Sequence, residues 1–287
     1  MTHPALTSGS VAVVTGGASG IGLAAAKRFA QLGLRVCIAD LGTDRLASAS
    51  AQIIAVAAGG ANDVMDCETD VSRVEELHRL EAAVRNRFGG TDVLMNNAGI
   101  GSGAGMLGPR ENWERVVAVN LWGVINGTQI FAPEMIKRGR PGLIINTGSK
   151  QGITTPPGDA AYNVTKAGIK AFTEALQHEL RNTPNNKISA HLLIPGFVFT
   201  ELTARGRAEK PPGAWTPQQT VDFMVDRVDA GDFYILCPDN DVPRSLDEQR
   251  ILWAAGDIVE NRPPLSRWHR DYAEAFAAFC RNASVKT

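Results

Sequence analysis

Apolar, β-branched runs alternate with stretches of helical periodicity along most of the chain, and that alternation defines its class. Ser10-Val-Ala-Val-Val-Thr15 is a short run of the kind buried on both faces of a parallel sheet. Residues 23 to 32 repeat apolar positions at helical spacing, Gly33 ends that helix, and Arg35-Val-Cys-Ile-Ala39 is a second strand closing on Asp40. Residues 47 to 58 predict a helix and residues 63 to 67 a third strand. Ser72 then offers an N-cap, Glu75 completes a capping box, and the helix they open reaches about Phe88. Further strands are expected at residues 93 to 95, 143 to 146, 188 to 194 and 231 to 237, with long helices at 113 to 138 and 160 to 180. Strands and helices alternating at this length predict an α/β chain: three layers, doubly wound, on a seven-stranded parallel sheet with right-handed crossovers. A helical C-terminal extension, residues 238 to 287, is expected to carry helices near 246 to 255 and 266 to 279. Trp268, Tyr272, Phe276 and Phe279 recur there at helical spacing and read as a packing stripe.

Composition changes this picture little. The chain has 287 residues, 44% apolar and 21% charged, with a formal net charge of −1. That balance gives no electrostatic case for nucleic acid or an anionic membrane as partner. No composition shift or linker interrupts the chain before residue 205, so one domain is expected over residues 1 to 287. Residues 1 to 10 lack a basic region followed by an apolar core, and no run of about 18 apolar residues occurs, so a cytoplasmic location is expected. Cys37, Cys67, Cys237 and Cys280 are scattered and read as reduced, mostly buried thiols. His178, His191 and His269 show no metal-ligand spacing, and no metal site is expected.

Candidate chemistry gathers in two places. Gly16-Gly-Ala-Ser-Gly20-Ile-Gly22 lies between the first strand and the first helix, where glycines let backbone approach a phosphate and helix amides bind it. Asp40, at the tip of the second strand, can accept both hydroxyls of an adenosine ribose and would repel a 2′-phosphate. Tyr162 and Lys166 stand one helical turn apart on one face, and Ser149 precedes them at the end of the fifth strand. An ammonium beside a phenol stabilises the phenolate, and a serine hydroxyl can hold a substrate oxygen next to it. The trio suits moving one proton on or off an alcohol while a carrier takes the hydride.

Thr15-Gly-Gly-Ala-Ser-Gly-Ile-Gly22, Asp70-Val71, Asn96-Asn-Ala-Gly99, Asn120, Ser149, Tyr162-x-x-x-Lys166 and Pro195-Gly196 follow one another in a characteristic order. In that order and spacing the chain resembles the short-chain dehydrogenase/reductase (SDR) family across roughly residues 8 to 238. The resemblance implies a Rossmann-type dehydrogenase domain binding a nicotinamide dinucleotide through Gly16, Ser19, Gly20, Ile21, Gly22, Asp40, Asp70, Val71, Asn97, Ala98 and Gly99. It also implies contacts from Tyr162, Lys166, Pro195 and Gly196, and from the backbone of Val198 and the hydroxyl of Thr200 to the nicotinamide amide. Asn120 is implied to kink its helix and free a carbonyl for a proton-relay water. Two departures are small: Gly148 stands where a second hydroxyl residue is common, and Thr165 where serine is. The family's Asp-Gly-Gly ending, frequent in its tetramers, is absent after the seventh strand. A homo-oligomer built on the two long helices is implied, with a dimer favoured and a tetramer possible.

The expected function is an NAD-dependent interconversion of a secondary alcohol and a ketone. Asn120, Ser149, Tyr162 and Lys166 are the catalytic set. Residues 197 to 216 read as a lid over the substrate, and Phe197, Phe199, Leu202, Pro211 and Trp215 could either contact substrate or pack the lid to the core. Residues 153 to 158 and 101 to 107 would form the other walls, giving a site for a substrate with an apolar or aromatic body. Two rivals stand beside this reading. A dinucleotide-binding regulatory or scaffold protein needs none of the four catalytic residues. An NADP-linked reductase is disfavoured by Asp40 and by the lack of a basic residue at 18 or 19.

Overall fold

The structure is a computed structural model that describes residues 2–101, 105–204 and 206–283. It opens with β1 (Val11–Thr15), α1 (Gly20–Gln31), β2 (Arg35–Asp40), α2 (Thr43–Ile54), β3 (Val64–Glu68), α3 (Val74–Phe88) and β4 (Val93–Asn96). It continues with α4 (Arg110–Val117), α5 (Gly123–Lys137), β5 (Gly142–Thr147), α6 (Gln151–Thr154), α7 (Ala160–Asn182) and β6 (Ile188–Ile194). α8 (Glu201–Ala204), α9 (Pro217–Asp229), β7 (Tyr234–Leu236), α10 (Arg244–Val259) and α11 (Ala273–Ala283) complete it.

The seven strands form one parallel sheet in the order β3-β2-β1-β4-β5-β6-β7. Strand order reverses between β1 and β4, and the crevice beyond their carboxyl ends is where a doubly wound sheet takes its ligand. Successive side chains of a strand point to opposite faces, and β1 shows why its run is apolar throughout. Ala12 and Val14 enter a core with α1, α2 and α9, while Val11 and Val13 enter one with α3, α5 and α7. Each fully buried Val, Leu, Ile or Phe contributes roughly 1.5 to 3 kcal/mol, so an all-apolar strand is the stable choice for a doubly covered sheet.

Local expectations fail where side-chain hydrogen bonds intervene. Ser72 does not cap α3: Arg73 takes the N-cap position without a side-chain bond. The Ser72 hydroxyl instead donates to Asp70 Oδ1 at 2.7 Å, and Glu76 Oε2 accepts the Asp70 N–H at 2.7 Å. The helix starts one residue later than the capping box requires, and Glu76 rather than Glu75 reaches back to a backbone N–H, that of Asp70. α2 starts before residue 47 and β3 runs one residue later than expected, while β7 keeps only three residues of the predicted strand. The segment at 113 to 138 is not one helix: a π turn, Ala118–Trp122, separates α4 from α5 and has the buried Asn120 at its centre. The last helix begins later than the apolar stripe suggests. Two 3₁₀ turns, Ser266–Trp268 and Arg270–Tyr272, precede α11. Asp257 holds the first of them, accepting the Ser266 hydroxyl at 2.6 Å and its N–H at 3.1 Å.

The extension folds onto its own chain. Trp253 of α10 is 4% exposed; its indole N–H donates to Ser266 Oγ at 2.8 Å, and Phe276 and Phe279 meet its ring edge-on. Trp268 reaches α6, donating to the Thr154 carbonyl at 3.5 Å.

Candidate functional site

A cleft of about 530 Å³ runs along the carboxyl edge of the sheet from the glycine turn to Tyr162. Gly16, Ser19, Gly20, Ile21, Asp40, Asp70, Val71, Asn97, Ala98 and Gly99 line it, as do Ser149, Tyr162, Lys166, Pro195, Gly196, Val198 and Thr200. Gly22 and Asn120 lie behind the lining. Gly22 serves packing, since a Cβ there would stand 2.7 Å from the Asn97 amide nitrogen. Thr69, Thr147, Arg45 and Glu201 also line the cleft, unforeseen from sequence.

The glycine turn is open for a backbone reason. Gly16 and Gly20 hold positive φ of 64° and 52°, which L side chains rarely adopt. Ser19 is the N-cap of α1 but makes no side-chain cap bond. The first-turn amides therefore face the cleft with the helix dipole behind them. Asp40 is fixed from both sides, its Oδ2 accepting the Ala18 N–H at 2.9 Å and its Oδ1 the Leu41 N–H at 2.8 Å. Each oxygen keeps a further lone pair for a ribose hydroxyl. Across the same mouth Arg45 pairs with Glu201 of α8 at 2.8 Å.

At the other end, Lys166 is 3% exposed and donates to the Thr147 carbonyl at 2.7 Å. Its ammonium sits 5.5 Å from the centre of the Tyr162 ring. Burial brings the Lys166 pKa down to about 8. Burial likewise pushes the Tyr162 phenol up to about 12, against the downward pull of a hydrogen bond with Ser149. Asn120 clamps the loop after β4, its Oδ1 accepting the Ile100 N–H and its Nδ2 donating to the Ile100 carbonyl, both at 2.8 Å. Thr165 donates to the Tyr162 carbonyl at 2.8 Å and accepts from Asn120 at 3.4 Å, so this departure keeps its hydroxyl in use. Gly148 is packed: a Cβ would stand 3.0 Å from Leu192.

Beside Ser149 lies a group that sequence reading missed. Lys150 is paired with Asp239 at 3.2 Å and with Asp247 at 2.5 Å. Asp239 Oδ2 also accepts the Phe197 N–H at 3.1 Å. One buried ammonium thus joins the turn after β5, the loop after β6 and the start of α10. No local pattern reveals it, because its partners come from the tail.

The walls expected for the substrate are only partly assembled. Leu202 lines the cleft. Trp215 packs edge-on against Phe223 and joins the core, and its backbone pairs with Phe197 and Phe199. Residues 102 to 104 and 205 of the expected walls and lid lie outside the described residues. Ile153, Thr154 and Thr155 border a separate cavity against the tail.

The residues present fit a nicotinamide dinucleotide: free helix amides for the phosphates, glycines without a Cβ in the way, and a carboxylate placed for ribose hydroxyls. A doubly wound sheet with this cleft and a serine, tyrosine and lysine at its far end defines the class of nicotinamide-dependent oxidoreductases. The sequence model described as short chain dehydrogenase matches residues 10–211, and the chain belongs to the short-chain dehydrogenase/reductase family. It is 35% identical over 251 residues to 1-deoxy-11-beta-hydroxypentalenate dehydrogenase of Streptomyces avermitilis, covering 85% of this chain and 90% of that one. Among solved structures, a short chain dehydrogenase/reductase from Burkholderia phymatum in complex with NAD superposes with a TM-score of 0.81 at 29% identity, covering 92% of this chain and 98% of that one. A metagenomic short-chain oxidoreductase in complex with NADP gives 0.67 at 28% identity, covering 81% and 98%.

Proposed function

We propose that the protein is an NAD-dependent dehydrogenase interconverting a secondary alcohol and a ketone, with an apolar or ring-bearing substrate. The observation that carries this reading is the meeting of Ser149, Tyr162 and Lys166 at the end of a dinucleotide cleft whose other end presents Asp40. The bound nicotinamide would supply the hydride acceptor in oxidation and the donor in reduction.

In oxidation Tyr162 takes the hydroxyl proton of the substrate and Ser149 orients the substrate oxygen. Lowering the phenol from about 12 to near 8 requires roughly 5.5 kcal/mol of differential stabilisation, at about 1.4 kcal/mol per unit. A single hydrogen bond to a charged group contributes only about 1.5 to 3 kcal/mol. Charge must supply the rest, and Lys166 is the buried cation nearest the ring. Asn120, by clamping Ile100, holds the backbone past which the proton leaves. Asp40 supports NAD over NADP, since a 2′-phosphate beside it would bring like charges together in a partly dry site. The relative crystallised with NADP keeps the other cofactor worth measuring. Trp122, Ile136 and Val164, large apolar side chains exposed by 52%, 40% and 48%, support a homodimer through the π turn, α5 and α7.

NADH formation with a panel of alicyclic and aromatic secondary alcohols tests the reading. Tyr162→Phe is expected to lower kcat about a thousandfold, within the range of general acid–base catalysis, and to leave NAD affinity almost unchanged. Retention of more than about a tenth of the rate would overturn the assignment of the proton to Tyr162. Dinucleotide binding without turnover of any alcohol or ketone would favour a regulatory protein instead.

A further inference from the structure

The tail encloses a second cavity, of about 250 Å³, that shares no lining residue with the dinucleotide cleft. Its walls are Trp253, Trp268, Leu265 and the α6 segment ending at Thr155, and two arginines, Arg250 and Arg267, enter it. The charges around it are unevenly paired. Asp257, also at the wall, is committed to Arg262 at 2.9 Å and to Ser266. Asp247 is shared between Lys150 at 2.5 Å and Arg250 at 3.6 Å. The Arg250 Nε is buried with no hydrogen-bond partner among the described residues. Among the described residues no carboxylate pairs with Arg267, whose guanidinium lies between the rings of Trp268, at 4.4 Å, and Phe276, at 5.3 Å. Burial, with the neighbouring Arg250 charge second, brings its pKa down to about 10. Two cations that repel each other beside aromatic walls are relieved by an anion that brings its own apolar surface.

We propose that this cavity binds a small organic carboxylate with a planar or apolar body, the carboxylate held by Arg250 and Arg267 and the body against Trp253 and Trp268. A guanidinium presents paired N–H donors that match a carboxylate, and the ring behind Arg267 holds its plane in place. The site is separate from hydride transfer, although its wall, α6, begins two residues after Ser149.

Calorimetric titration of the full chain with benzoate, benzamide and inorganic phosphate tests the proposal, in the presence of saturating NADH. Benzoate is expected to bind saturably, with benzamide and phosphate each at least tenfold weaker. Arg267→Gln and Arg250→Gln should each weaken benzoate at least tenfold while their melting curves remain cooperative. Ala254→Phe, which fills the cavity without touching a charge, should abolish binding and so covers the case of an arginine variant that fails to fold. Benzoate affinity unchanged in these variants, equal affinity for benzamide or phosphate, or benzoate binding displaced by NADH would each overturn the proposal.

Discussion

Replacing Lys150 by methionine removes one ammonium and leaves two carboxylates behind. The side chains of Lys150, Asp239 and Asp247 are 15%, 6% and 5% exposed, so the abandoned charges cannot simply hydrate. Breaking a buried ion pair from one side costs about 3 to 5 kcal/mol. Here both carboxylates keep some support. Asp239 accepts the N–H groups of Phe197, Asp241 and Val242, and Asp247 retains Arg250 at 3.6 Å. The lower end, about 3 kcal/mol, is therefore expected. At about 2 to 4 °C per kcal/mol for a chain of this size, Tm falls by about 6 to 12 °C. Scanning calorimetry near neutral pH measures it. The triple variant Lys150→Met/Asp239→Asn/Asp247→Asn should recover most of the loss, because it removes the uncompensated charges along with their partner. Burial already holds the Asp247 carboxyl above its ordinary value despite Lys150, so the deficit of Lys150→Met should shrink in acid as Asp247 protonates. A loss under about 2 °C, or a triple variant no more stable than the single one, would refute the reasoning.

Asp40→Ala should weaken NAD at least tenfold and narrow the preference over NADP, read from kcat/KM with each dinucleotide; wild-type protein using both equally would remove the basis for this role. Asn120→Ala strips both clamping bonds from Ile100 and is expected to cost about 2 kcal/mol of stability and at least tenfold in kcat, checked by denaturant melts and steady-state rates. His3 and His191 have pKa values held below 6.5, chiefly by burial. The unfolded chain therefore takes up protons that the folded chain refuses. Stability is complete above about 6.5 and declines as pH falls through that value. His191→Asn should flatten the decline in melts recorded across this range, and an unaltered slope would count against it.

The parts of the site legible in sequence are those made by local chemistry. The glycine turn, Asp40, Ser149 and the Tyr162–Lys166 pair each sit where a strand end or one helical turn dictates, and the cleft unites them. What was missed depends on side-chain contacts that no helical or strand period encodes. Ser72 lost its capping role to Asp70, the final helix was delayed by Asp257, and Lys150 found partners only after the tail had folded back. The carbonyl of Thr147 that receives Lys166 has no side-chain signature at all. Asn120 lay between these cases: its presence inside a helical run signalled an irregularity, but the π turn and the grip on Ile100 required the tertiary structure.

The way the tail is attached also bears on how the molecule breathes. α10 and α11 lie outside the sheet, and they meet the body of the protein at α6 through Trp268, at Lys150 through Asp247, and at the core beside β6 and β7 through Ile251. A unit attached at the margin of the sheet can open sub-globally while the sheet stays closed, and its amides are expected to exchange with solvent at a lower free energy than those of β1, β4 or β5. Such an opening would uncover the turn after Ser149 and leave the strand ends around the glycine turn in place. The two ends of the cleft thereby differ in what holds them: the order of the turn that carries Ser149 depends on the tail through Lys150, while that of the glycine turn depends on the sheet.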